Sequence, residues 1–164
     1  MYWIETRTSG RLAILRRPAA GAALPTAIVD WLAAGIDTVL CLLEDSEAQR
    51  LGLEGEGEAC RQAGLEFMAF PIPDFGVPAS VVHLAPVLRE IGGKLRAGAS
   101  VGVHCYGSVG RSGLVSSCLL VALGYEPIEA FHVVSKARGV PVPETPEQRR
   151  WIEASAPALR DLGI

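Results

Sequence analysis

Short apolar runs alternate with amphipathic stretches along most of this chain. Tyr2 to Ile4 and Leu12 to Leu15 are strand-length runs, separated by the turn pair Ser9-Gly10. A loop follows from Pro18 to Gly21, and Pro25 then opens a helix, where its missing N–H costs nothing. Leu24, Ile28, Trp31 and Leu32 recur at helical spacing, and Gly35 closes that helix. Thr38 to Leu43 is a continuous apolar run, the pattern of a strand buried on both faces. A polar helix is predicted from Glu44 to Leu51, a second from Glu56 to Ala63 ending at Gly64, and a strand from Leu65 to Phe70. Pro71, Pro73 and Pro78 exclude a helix between them. Ser80 caps a long helix through Arg96 that carries Val81, Leu84, Leu88, Ile91 and Leu95 on one face. Ser100 to His104 reads as a central strand, Arg111 to Leu123 as an apolar helix ending at Gly124, and Pro127 to Ala137 as another helix. Thr145-Pro146 starts the last one.

Strands alternating with helices predict an α/β fold of three layers, α/β/α. A central, mixed and mostly parallel sheet of four or five strands is flanked by helices. The chain has no internal repeat, low-complexity tract or interdomain linker, so its 164 residues are read as one domain, 1–164.

Composition narrows the possible partners. With 49% hydrophobic and 20% charged residues, the chain can build a core without staples. A net charge of −3 supplies no broad basic field, so neither nucleic acid nor an acidic membrane surface is expected as a partner. The start, MYWIETRTSG, is polar, and no apolar run approaches ~20 residues. Neither a signal peptide nor a membrane span is therefore expected. Cys41, Cys60, Cys105 and Cys118 are widely spaced without a CxxC pair, and His83, His104 and His132 form no HExxH pattern. The expectation is a monomer in a reducing, cytoplasmic setting, with no metal ligand set.

The chemistry concentrates in Val103-His104-Cys105-Tyr106-Gly107-Ser108-Val109-Gly110-Arg111-Ser112-Gly113. A strand ends at Cys105, a loop with two glycines follows, and a helix begins near Arg111. Such a strand–loop–helix junction is an anion cradle, because its backbone N–H groups and the positive helix end face the same ligand. Arg111 adds a guanidinium fork suited to phosphate oxygens. The same field favours the thiolate of a cysteine placed in it, and a thiolate beneath a bound phosphate is a nucleophile toward phosphorus. Cys-x5-Arg alone also arises by chance, and a cysteine at a strand end is an ordinary core residue. The conjunction of His, Cys, glycines, Arg and Ser within this context carries the reading.

HCYGSVGRSG resembles the HCxxGxxRS signature of the cysteine-dependent protein tyrosine and dual-specificity phosphatases. FPIPDFGVP, about thirty residues upstream, resembles the loop that carries their general acid, and LAILRRP, GIDTVLCLLEDSEAQRLGL and GVPVPETPEQ are similar to other segments of the group. The resemblance spans roughly residues 10 to 155. It implies a domain of the dual-specificity type, in which Cys105 forms a cysteinyl-phosphate and Arg111 binds the phosphoryl oxygens. It gives the remaining cradle to the backbone of Tyr106, Gly107, Ser108, Val109, Gly110 and Arg111. Ser112 matches the hydroxyl that eases thiolate departure, and His104 the histidine that steadies the loop by side-chain hydrogen bonding. Asp74 matches the acid that protonates the leaving oxygen and later activates water; on residues alone it is equally a turn aspartate among prolines.

Gln148 matches a glutamine that positions the hydrolytic water, and equally completes a capping box with Thr145. Glu44 and Asp45 follow a strand end and read either as cleft residues or as carboxylates that start a helix. Cys41 reads as a buried core cysteine. The resemblance also offers it as a redox partner that traps oxidised Cys105 as a disulfide. No metal or cofactor is needed for this chemistry. Members of the resembled superfamily that act on inositol lipids carry lysines in this loop, and none stands between Cys105 and Arg111, so the resemblance implies a phosphorylated protein or peptide rather than an inositol lipid, phosphotyrosine ahead of phosphoserine or phosphothreonine. A non-catalytic phosphate-binding module is the main alternative, and the presence of Cys105, Arg111 and Asp74 together argues against it. Other Cys-x5-Arg enzymes carry the loop near the N-terminus and the acid after it, the reverse of the order here.

Overall fold

The computed structural model describes residues 1–164. Five strands form one sheet: β1 (Tyr2–Ile4), β2 (Arg11–Ile14), β3 (Thr38–Cys41), β4 (Glu66–Ala69) and β5 (Ser100–His104), in the order β1-β2-β5-β3-β4. Only β1 runs antiparallel, against β2; the other pairs are parallel. Seven helices cover the sheet: α1 (Leu24–Ala33), α2 (Asp45–Leu51), α3 (Glu56–Ala63), α4 (Val81–Arg96), α5 (Gly110–Ala122), α6 (Pro127–Arg138) and α7 (Pro146–Arg160). A single 3₁₀ turn at Gly21–Ala23 leads into α1. The three-layer, mostly parallel architecture expected from the sequence is what forms, with boundaries shifted by a residue or two.

Side-chain alternation splits the core in two. Leu12 and Ile14, Leu40 and Leu42, Val101 and Val103 face a large cluster built with α4 to α7. Ala13 and Leu15, Val39, Cys41 and Leu43 face a smaller cluster built with α1 and α3. In a strand, neighbours point to opposite faces, so the split fixes which face each later residue occupies. β3 and β5 are buried throughout, as their continuous apolar runs require, while edge strand β4 is half exposed.

Local chemistry sets the helix ends. The Ser80 hydroxyl accepts from His83 N at 3.1 Å and caps α4. Pro86 lies inside α4, where an interior proline costs about 3 kcal/mol. Burial of Leu84, Leu88, Ile91 and Leu95 outweighs it, at roughly 1.5–3 kcal/mol each. Gly52 and Gly64 end α2 and α3 at φ of 67° and 88°, values open to glycine. Every residue of α5 is buried, because the sheet, α4, α6 and α7 enclose it. No helix is long and apolar enough to cross a membrane.

Candidate active site

Strand β5 is the middle strand of the five, between β2 and β3, and its C-terminal end delivers the chain into the loop Cys105–Val109. Parity continues past His104, so Cys105 joins the α4–α7 cluster and is 2% exposed. Its Sγ lies 3.6 Å from Oγ of Ser112, in the first turn of α5. The backbone N–H groups of Tyr106, Gly107, Ser108, Val109, Gly110 and Arg111 donate to no backbone acceptor in the protein. A helix start leaves such groups unpaired by construction, and here the loop before it does the same.

The loop is held from outside. Ser108 adopts φ of 55°, a left-handed conformation that costs a non-glycine residue about 1–3 kcal/mol. Its Oγ donates to Leu15 O at 2.6 Å, which fixes the turn to β2. From α6, Arg138 Nε donates to Ser108 O at 2.7 Å.

Arg111 is 1% exposed. Its Nη1 donates to Glu47 Oε2 at 2.5 Å and to Ile72 O at 3.0 Å, and its Nη2 donates to Glu47 Oε1 at 2.9 Å. Nη2 also lies 3.0 Å from Asp74 Oδ1. Burial disfavours the charge on Arg111, yet Glu47, Cys105 and Asp74 hold its pKa above the ordinary arginine value. Burial likewise pushes Glu47 up, but Arg111 and the Glu44 N–H, which donates at 3.0 Å, outweigh it and leave Glu47 below its ordinary value.

Asp74 is thus brought to Arg111 by the proline-flanked loop after β4. The turn there is closed by Gly76 N donating to Pro73 O at 2.8 Å, with Phe75 at φ of 57°. Gln148 completes the capping box of α7 with the N-cap Thr145: it donates its backbone N–H to Thr145 Oγ1 at 3.1 Å, and its Oε1 accepts from Thr145 N at 3.3 Å. Its Nε2 meanwhile donates to Gly76 O at 3.0 Å, so the same side chain ties the last helix to the acid-bearing loop. Glu44 and Asp45 prove to be helix-start residues of α2. The sequence reading passed over Glu47; the signal available for it was its position three residues after the cap of a helix that follows a central strand.

One expectation needs correction. His104 does not hydrogen-bond to the loop. Parity turns its ring to the α1/α3 face, against Trp31, with Nε2 2.7 Å from Glu56 Oε1. Its ring thus meets a buried carboxylate behind the sheet, and Nδ1 has no hydrogen-bond partner. Burial opposes charge on His104, but Cys41 and Glu56 together raise its pKa to about 10. Cys41 in turn pairs in register with His104 and belongs to the smaller cluster, whereas Cys105 belongs to the larger. Cys41 is thus the buried core cysteine of the smaller cluster, and both it and Cys105 are free thiols.

The sequence family whose description is PTP-SAK, the Swiss Army Knife protein DSP-PTPase phosphatase domain, matches residues 3–156. Cyclin-dependent kinase inhibitor 3 of Rattus norvegicus is 28% identical over 120 residues, which are 72% of this chain and 56% of that protein. The chain therefore spans little more than half the length of this curated relative. The active form of Tk-PTP is 34% identical, with a TM-score of 0.71 over 94% of this chain and 92% of that one. Kinase associated phosphatase, crystallised with serine replacing its catalytic-site cysteine, shares the fold at a TM-score of 0.89. It is 21% identical, over 97% of this chain and 94% of that one. The match over nearly the whole chain, on a fold that sets a cysteine under free amides and a buried arginine, makes this protein a member of the cysteine-dependent DSP-PTPase family.

Proposed function

We propose that the domain hydrolyses phosphate monoesters on proteins, with phosphotyrosine beside acidic residues as its preferred substrate. The observation that carries the reaction is the meeting of Cys105 with Ser112, the unpaired loop amides and the Arg111 guanidinium at one strand end. The phosphoryl oxygens lie on the amides and on Arg111, whose Nε donates to no protein atom. Cys105 thiolate attacks phosphorus as the ester P–O bond breaks, and Asp74 gives its proton to the leaving oxygen. Phosphate competes with Asp74 for Arg111 Nη2, which frees the carboxyl to face the leaving group. Water then attacks the cysteinyl-phosphate, Asp74 takes the water proton, the S–P bond breaks, and Ser112 hydrogen-bonds the departing thiolate. The products are the free hydroxyl and inorganic phosphate.

The rim supports the substrate class. Phe75 and Tyr106 are 58% and 46% exposed and offer aromatic faces to a phosphotyrosine ring. Beside the loop is a cavity of about 290 Å³ lined by Tyr2, Arg16, Arg17, Tyr106, Ser108 and Arg138. Arg17 stacks 4.5 Å from the Tyr106 ring centre, and Arg138 4.3 Å from that of Tyr2. Three guanidinium groups around one small cavity suit carboxylates flanking the phosphorylated residue.

The test is turnover of p-nitrophenyl phosphate and of matched phosphopeptides, in reductant, by the wild type and by Cys105→Ser. Wild-type turnover, loss in the variant and faster cleavage of acid-flanked phosphotyrosine support the reading. Equal activity in both proteins overturns the nucleophile assignment, and no preference among peptides overturns the substrate class.

A further inference from the structure

Behind the phosphate loop, on the opposite face of the sheet, lies a second chemical cluster that the phosphatase reaction does not use. Cys41 and His104 are cross-strand neighbours at the ends of β3 and β5 and project to the same face. Glu56, at the start of α3, meets them from the helical layer. Cys41, Glu56 and His104 are 6%, 2% and 0% exposed. One sulfur, one oxygen and one nitrogen donor from these residues all lie within 4.8 Å of one another. His104 Nε2 faces Glu56 Oε1 at 2.7 Å, while Nδ1 is buried without a hydrogen-bond partner. Buried polar atoms are nearly always paired, so an unpartnered ring nitrogen within a buried group of thiol, carboxylate and imidazole donors calls for a ligand.

We propose that Cys41, Glu56 and His104 form a binding site for a thiophilic divalent cation, Zn²⁺ in the first instance. The donor types are those zinc takes: thiolate, carboxylate and imidazole. Bonds of about 2.0–2.3 Å around a tetrahedral ion place donors roughly 3.5 Å apart, so the 2.7 Å His104–Glu56 pair has to open slightly while the donors, all within 4.8 Å of one another, close on the ion. A thiolate and a carboxylate balance the two charges of the ion, and a neutral imidazole completes three ligands. The fourth position has a supply of water. A cavity of about 440 Å³ is lined by Cys41 and Glu56 and opens past Arg61 and Phe67 to the surface, which also gives the ion its access. No local spacing announces this set, since its members come from positions 41, 56 and 104 and meet only in the folded sheet. Because His104 immediately precedes Cys105, a bound ion pins the strand end from which the phosphate loop springs. The proposal stands independently of the phosphatase reading.

The experiment uses the full chain carrying Cys105→Ser, which removes the thiol of the phosphate loop from consideration. Chelator-treated protein is titrated with Co²⁺ and read by its absorption spectrum, then challenged with Zn²⁺. One equivalent of Co²⁺ with a thiolate-to-cobalt charge-transfer band, displaced by Zn²⁺, is expected. Adding Cys41→Ser removes the band, and adding Glu56→Gln weakens Co²⁺ binding at least tenfold. In case either added change prevents folding, thiol labelling is followed by mass spectrometry in the Cys105→Ser chain alone, where Zn²⁺ is expected to slow labelling of Cys41 at least tenfold. Absence of the charge-transfer band, its persistence after Cys41→Ser, or Cys41 labelling indifferent to Zn²⁺ overturns the proposal.

Discussion

Replacing Glu47 by Gln isolates what the buried carboxylate does for Arg111. Glu47 is 4% exposed and accepts three hydrogen bonds: Oε2 takes Arg111 Nη1 and the Glu44 N–H, and Oε1 takes Arg111 Nη2. A glutamine has one oxygen and one NH₂ in the same space. Its better orientation keeps oxygen at the Oε2 position, with two donors satisfied, and sets NH₂ against Nη2. One charge-assisted bond is lost, worth about 1.5–3 kcal/mol, and a buried guanidinium loses its full counter-charge. Removing a partner from a buried ion pair altogether costs about 3–5 kcal/mol, but Asp74 at 3.0 Å and the Ile72 carbonyl remain. The expected loss is about 2–3 kcal/mol, which for a domain of this size is a fall in Tm of roughly 5–10 °C. Glu47 is held below its ordinary value of 4.5, so its contribution is fully present above that pH and disappears as pH falls through the lower folded-state value. Urea denaturation of both proteins at pH 7 and at steps below 4.5 is the assay. The gap should be full at pH 7 and close in acid. A gap under about 0.5 kcal/mol at pH 7, or one that does not change with pH, refutes the reasoning.

Three further outcomes follow from the geometry. Asp74→Asn should lower kcat on a phosphotyrosine peptide roughly a hundred- to ten-thousand-fold and remove one limb of its pH profile; an unchanged profile removes Asp74 from proton transfer. Ser112→Ala takes away the only side-chain hydroxyl at 3.6 Å from Cys105, so p-nitrophenol should appear in a burst followed by a steady rate about tenfold slower. Stopped-flow traces without a burst would place the effect elsewhere. Gly102→Ala builds a Cβ 2.4 Å from Leu15 Cδ1 and 2.7 Å from its Cγ, between two central strands, and should cost about 1–3 kcal/mol in thermal melts.

The fold was legible because its signals are local. The apolar run Thr38 to Leu43, the prolines at 71, 73 and 78, and the Ser80 cap each act within a few residues and survive assembly unchanged. The phosphate loop was legible for the same reason, being contiguous. What stayed hidden depends on contacts between distant segments. Glu47 reads as a polar helix residue until α2 packs across Arg111, sixty-four positions later. His104 reads as part of the loop machinery because it neighbours Cys105 in sequence. Strand parity, a property of the assembled sheet, sends the two side chains to opposite layers. Gln148 reads equally as a capping-box and a site residue, and its side chain is long enough to complete the box with Thr145 while gripping the Asp74 loop.

The enclosure of α5 has a consequence for how the cradle behaves in time. β5 and α5 are buried along their whole lengths, so their paired amides should exchange with solvent deuterium only when the entire domain opens. Between them, the loop amides from Tyr106 to Arg111 have no backbone acceptor to shield them. Deuterium uptake should therefore show a narrow fast-labelling island flanked by the slowest segments of the molecule. An oxyanion seated there would be read as protection of that island alone, without any slowing of its neighbours, because the framework around it is already as closed as it can be.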